Sequence, residues 1–416
     1  MSSDNFEIID NGSTEESEER SSPGSSSPPY FIPVDSENCP EAKAGKQSPE
    51  KSQENGERKE TLPMATKVAH ASITSDQSHL TISDRDGFKT FQLHPVFFRQ
   101  KTRLVPDVGP IRICRAIDRS QLVVYTCAKG GKFAQNVVMT FDVEKNDDLI
   151  EITTPPQYGP VTNFQVSQNR LAIFTNSRIF IYIFPSKCHQ IRSEDIHPNP
   201  TGISAMSYDP TTSACFLAYP GFKTGSVQIV NLNTLTERES KAPVVIEAHL
   251  TEITQVALNC QGTLVATGST KGTVIRVFDA RTKGMLYELR RGSVQAHLHC
   301  LQFSPCSSYL AVASDHGTLH VFGIRDAESQ KKKTVIERNL GTSSIARIQL
   351  ERQVLALGFS KQTPKSIQSL VAVCSDGSYW RYPFSKDNRG NVHHNVGTFE
   401  NLILLAEEAR FFSTPI

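Results

Sequence analysis

Short polar turns, each carrying a glycine and each followed by a β-branched or aromatic run, divide this chain at nearly equal intervals, and that spacing limits the fold more than any other feature. The glycines are Gly87, Gly225, Gly272, Gly317 and Gly377; the runs after them begin at Phe88, Ser226, Thr273, Thr318 and Ser378. Glycine enters φ > 0 at no steric cost, so each segment predicts a tight turn feeding an alternating strand. Gly225 to Gly272 is 47 residues, Gly272 to Gly317 is 45, and Gly87 to Gly225 is 138, or three steps of 46. Degenerate turns fill that gap near Lys132, before Asn136-Val137-Val138-Met139, and near Asn176-Ser177, before Ile179-Phe180-Ile181-Tyr182. Gly317 to Gly377 is 60, one unit plus an insertion of about 14. Seven units result. A period of roughly 40 to 45 residues with four short strands per unit predicts a seven-bladed β-propeller, because a lone blade exposes both faces and is stable only between neighbours in a ring. Two β-sandwiches would account for the strands but not for the period.

The ring does not include the start of the chain. Residues 1–64 are rich in Ser, Glu, Pro and Gly, and 14 acidic against 6 basic side chains fall within residues 1–60. Such a segment buries too little apolar area to offset the entropy of ordering, so an acidic, disordered tail is expected, with the propeller over 65–412. The whole chain is nearly neutral at +1, but removing that tail leaves a body of +9 (38 basic, 29 acidic). This balance gives no reason to expect nucleic acid as a partner. No basic-then-apolar leader opens the chain, and no apolar run approaches the roughly 18 residues that span a bilayer. The nine cysteines form no CxxC pair, so neither a disulfide framework nor a structural metal is expected.

No nucleophile-base set, metal-ligand cluster or phosphate loop is legible, and neither an enzyme nor a cofactor is expected. Leu289-Arg290-Arg291-Gly292, at a blade junction, does stand out. In extended backbone, neighbouring side chains point to opposite sides, so the two arginines should diverge into the two flanking blades. A guanidinium presents a planar fork that matches phosphate oxygens, and Gly292 would let the backbone turn or a ligand approach. Matching polar sets flank the pair: His249, Ser269, Thr273 and Arg276 before it, and His297, His299, Ser314, Thr318 and His320 after it. Neither set has a carboxylate paired by spacing. Histidines beside phosphates favour imidazolium, so binding is expected to strengthen as pH falls from about 7.5 to 6.

The segments AHLTEITQVALNCQGTLVATGSTKGTVIRVFDA, YELRRGS and SSYLAVASDHGTLHVFGI, with Ala218-Tyr219-Pro220-Gly221 and CSDGSYWRY, closely resemble the PROPPINs, or WIPI-type WD-repeat proteins, and within them the metazoan short-WIPI subgroup. Leu289 stands where many members carry Phe. The resemblance implies a WD-repeat type seven-bladed propeller that serves autophagy by reading phosphatidylinositol 3-phosphate and phosphatidylinositol 3,5-bisphosphate. It implies a first site of His249, Ser269, Thr273, Arg276 and Arg290, and a second of Arg291, His297, Ser314, Thr318 and His320. Ala313 replaces a serine usual in the family, which should weaken the second site. A membrane-contacting loop is expected over about 325–353, with Lys331, Lys332 and Lys333 on headgroups and Leu340, Ile345 and Ile348 among acyl chains. Further implied are a cytoplasmic monomer, peripheral on preautophagosomal and endosomal membranes, and a lipid-transfer partner docked near Asp76 in the first blades. Phe6-Glu7-Ile8-Ile9 resembles the aromatic-x-x-aliphatic segment, with Phe6 and Ile9 as anchors, that adds a strand to an autophagy modifier. The competing reading is a WD-repeat scaffold whose arginine pair grips an acidic peptide without lipid.

Overall fold

A computed structural model describes residues 68–93, 96–98, 108–235, 243–324, 342–362, 367–386, 392–394 and 397–411. The tail with Phe6 and Ile9, and also Lys331, Lys332, Lys333 and Leu340, lie outside the described residues.

Seven sheets, antiparallel apart from one short strand added to the fifth, follow one another along the chain, spanning residues 70–98, 111–153, 163–195, 205–247, 253–290, 298–349 and 354–401, and they are the seven blades of a β-propeller. The repeat glycines all fall between the second and third strands of their blades, with φ from +58° at Gly272 to +137° at Gly87. The degenerate turns hold the same place: the third strands of blades 2 and 3 are Val137–Asp142 and Arg178–Ile183.

One expectation about these strands is corrected. The third strands do not all alternate. Val137–Asp142 is buried at all six positions, and Thr318–Gly323 at its first five. A blade is sandwiched between neighbours, so both faces of its middle strands meet apolar surface and the polar-apolar rhythm disappears. Alternation survives at the edge, as in the outer strand Asp147–Thr153 of blade 2.

Among the described residues the ring closes without exchanging a strand: every strand of blade 1 precedes, and every strand of blade 7 follows, the rest of the propeller. The seam is instead filled by one apolar cluster, in which Val68, Leu80, Ile82 and Phe91 meet Val371, Val373 and Tyr379. Leu402 and Ala406 of the C-terminal helix Leu402–Phe411 complete it, both fully buried. Val68 N also donates to Ser375 O at 2.8 Å across the seam. The seven inner strands surround an axial cavity of about 290 Å³.

The later part of the segment expected as a membrane loop over about 325–353 is strand. Thr342–Ser343 runs parallel to Leu289–Arg290 as an extra strand on blade 5, and Ala346–Gln349 is the outer strand of blade 6. Ile348 is buried between blades 6 and 7, and Ile345 packs against the same cluster. Ile348 is therefore removed from the membrane-contacting set, because its apolar surface is already covered by protein, whereas Ile345 is only partly buried.

Candidate anion site at the junction of blades 5 and 6

The strand Met285–Arg290 ends blade 5 by placing Leu289 in the core between blades 5 and 6, fully buried. That anchor fixes the two residues after it. Arg290 is exposed and, among the described residues, forms no ion pair. Arg291 turns inward and is half-buried: its amide donates to Thr273 O at 2.9 Å, its Nε to Gly272 O at 2.6 Å, and an Nη to Val294 O. The backbone of the turn before the third strand thus holds one arginine while its neighbour reaches into water. Gly292 lies outside the left-handed region, and a Cβ there would meet nothing within 4 Å. No backbone requirement for glycine exists at this position, but it leaves open space beside the arginines.

Around Arg290, Ser269 is buried and Thr273 half-buried, at the two ends of the turn that holds Gly272. His249 lies in the crossover that enters the blade, its Nε2 3.0 Å from Thr267 Oγ1. Burial, aided by Arg276, lowers its pKa to about 4. Arg276 departs from expectation. It faces Glu288 across the third and outer strands, its Nε 2.9 Å from the carboxylate, and it donates to Ala248 O at 2.7 Å. The separation of 12 residues hid this pair, because only strand register brings them opposite each other. Arg276 is thus braced, with its charge already offset.

Around Arg291, Ser314 and Thr318 are buried at 4% and 3% exposure, and the Ser314 hydroxyl has no hydrogen-bond partner. His297 is exposed and stacks on His299 with ring centroids 5.3 Å apart. Burial lowers the His299 pKa, the positive potential of His297 adding to it. His320 is buried, its Nδ1 3.3 Å from Ser344 Oγ. Burial, then Arg291 and Arg347, lower its pKa to about 4. Arg347 was not singled out from the sequence. It stands opposite His320 on the outer strand of blade 6; burial lowers the Arg291 pKa, Asp315 opposes this, and Arg347 adds to it. A lone arginine in Ser-Ile-Ala-Arg-Ile-Gln carries no mark of this convergence.

Two histidines are neutral in the unliganded chain. His249 and His320 stay uncharged from pH 7.5 to 6, so a gain in anion affinity over that interval requires that they take up protons on binding. They also act on stability, and the sign is fixed by linkage. A folded-state pKa below the unfolded value near 6.5 means that the contribution is present above pH 6.5 and lost as pH falls toward 4. For His320 the loss is at most about 3 kcal/mol. The thermal midpoint is expected to drop between pH 6.5 and 4, and less steeply in His320→Gln; parallel profiles would refute this assignment.

Asp76 accepts from Thr74 Oγ1 at 2.7 Å and from Ser78 N at 3.0 Å, and so closes its own turn in blade 1. Burial opposes its charge, but the hydrogen bonds from Ser78 and Thr74 outweigh it and hold the carboxyl below its ordinary pKa.

A family model described as PROPPIN matches residues 68–350. The chain belongs to the PROPPIN family. This PROPPIN is 60% identical over 371 residues to Ectopic P granules protein 6 of Caenorhabditis elegans, covering 88% of this chain and 95% of that protein. It is 28% identical over 310 residues to Autophagy-related protein 18 of Mycosarcoma maydis, covering 68% of this chain and 65% of that protein. Among solved structures, Kluyveromyces lactis Hsv2 shares the fold with a TM-score of 0.65 at 23% identity, covering 81% of this chain and 99% of Hsv2. As a PROPPIN the chain is an autophagy-related, phosphoinositide-binding propeller that associates peripherally with membranes and is not an enzyme. Among the described residues no helix is long and apolar enough to cross a membrane.

Proposed function

We propose that this PROPPIN reads phosphatidylinositol 3-phosphate and phosphatidylinositol 3,5-bisphosphate through two pockets that share the Arg290-Arg291 pair. The first uses His249, Ser269, Thr273 and Arg290, with Arg276 as its braced wall; the second uses Arg291, His297, Ser314, Thr318 and His320, joined by Arg347. One observation carries the reading. Burial, with Arg347 adding to it, disfavours the charge of Arg291, and the buried Ser314 hydroxyl of the same set lacks a partner. A phosphate would relieve both costs at once, since it neutralises the cations and accepts from the hydroxyl. Two pockets on one junction make capture of the second headgroup effectively intramolecular, which supplies residence time. Lys331, Lys332 and Lys333, with Leu340, would add contact from the loop before blade 6's outer strand, and the turn of Asp76 would face a lipid-transfer partner at the preautophagosomal or endosomal membrane.

Vesicle titration with one phosphoinositide at a time tests this. Binding is expected to 3-phosphorylated headgroups and not to phosphatidylinositol or its 4-phosphate. Arg347→Ala should weaken binding about tenfold, the worth of one hydrogen bond to a charged group. Equal binding to every anionic vesicle would reduce the site to plain charge attraction.

A further inference from the structure

Three large apolar side chains stand in water on the rim that carries the pocket residues. Strand direction alternates within a blade, so turns from second to third strand share a rim with crossovers from one blade's outer strand to the next inner strand. Phe222, 63% exposed, sits in such a turn in blade 4; Leu250, 94% exposed, is in the crossover into blade 5; Val294, 64% exposed, is in the crossover into blade 6. Leu250 adjoins His249, and the carbonyl of Val294 accepts from Arg291.

The backbone beneath them is tied down. His249 N donates to Gly225 O at 2.9 Å, joining the turn of Phe222 to the crossover of Leu250. Gln295 Nε2 donates to Thr270 O at 3.2 Å, joining the crossover of Val294 to the turn of blade 5. These side chains are presented on fixed supports, and each holds apolar surface in water at a cost that only an apolar occupant removes. Lys271 and Arg290 are exposed on the same rim; of the acidic neighbours, Glu247 is paired with Lys223, and the exposed Glu252 offsets only one of the two cations. Cations mixed with protruding apolar side chains, continuous with phosphate pockets, match the headgroup boundary of an anionic bilayer better than they match a protein groove.

We infer that Phe222, Leu250 and Val294 enter the bilayer interface when the pockets take their headgroups, making this rim a membrane-docking surface separate from the loop before blade 6's outer strand. The inference rests on the pocket reading above. The test uses the full chain with Phe222→Ser, Leu250→Ser and Val294→Ser, singly and together. Calorimetry against soluble inositol 1,3-bisphosphate is compared with flotation on phosphatidylcholine vesicles containing phosphatidylinositol 3-phosphate. Soluble headgroup binding should be unchanged, while vesicle affinity falls about tenfold for Leu250→Ser and further in the triple variant. In Leu250→Trp, the added tryptophan should shift its emission to the blue on vesicles and be quenched by brominated acyl chains. Undiminished flotation of the triple variant, or Leu250→Trp emission that neither shifts nor is quenched on the vesicle, overturns the docking surface alone. A wild-type chain that takes neither the soluble headgroup nor the vesicles overturns the pockets, and this inference with them.

Discussion

Arg290→Ala combined with Arg291→Ala is expected to remove the chain from vesicles containing phosphatidylinositol 3-phosphate, with recovery in flotation falling to the level of phosphatidylcholine alone. Each guanidinium offers charge-assisted hydrogen bonds worth about 1.5 to 3 kcal/mol apiece. Losing one pocket also removes the intramolecular advantage of the other, a further factor of roughly 10² to 10⁴. The two positions differ in what else they do. The Arg290 side chain is exposed and has no hydrogen bond or ion pair among the described residues, so Arg290→Ala alone should leave the thermal midpoint unchanged while weakening binding. Arg291 also supports the backbone at Gly272 and Val294, so its variant should lower the midpoint as well. Arg291→Lys separates these roles: the charge stays, but the planar fork that bridges two carbonyls is lost. Wild-type flotation by the double alanine variant would end the lipid-reading account.

The second large effect lies in the backbone. Gly272→Ala is expected to destabilise the propeller by roughly 3 kcal/mol or more, because it combines positive φ with a steric conflict that no side-chain motion relieves. At Gly272, φ is +58° and an added Cβ would fall 1.9 Å from the carbonyl oxygen of Ala296. Gly225→Ala meets the same conflict, 1.9 Å from His249 O at φ +73°. In both, the turn of one blade packs on the crossover into the next, so an added methyl pushes adjacent blades apart. Gly272 O also receives Arg291 Nε, and surviving folded protein should therefore bind poorly. Gly292→Ala is the control, expected to stay within about 0.5 kcal/mol of wild type in denaturant unfolding. Equal stability of the Gly272 and Gly292 variants would contradict this account of the repeat.

The contrast between these glycines shows where local sequence is informative. A turn glycine followed by a strand is a local fact, set by φ and by a few neighbouring side chains, and so the repeat and the blade count could be read from the chain. Gly292 belongs to a sequence motif rather than to a turn, and the backbone requirement expected for it does not exist. Burial follows the same division. An amphipathic strand rhythm assumes one wet face, but the middle strands of a blade have two dry ones, and Ile348 looked like a membrane anchor until the next blade was seen to cover it.

From the amino-acid order alone came the acidic segment before the ring, the period of the blades and the position of the paired arginines at a junction, because each depends on residues adjacent in the chain. Tertiary structure alone decided that Glu288 engages Arg276, that Arg347 joins Arg291, that His249 and His320 are neutral, and that Phe222, Leu250 and Val294 share a rim. Those outcomes depend on strand register and on the desolvation produced when one blade is laid against another. Such neighbours are made by packing, and no spacing along the chain specifies them.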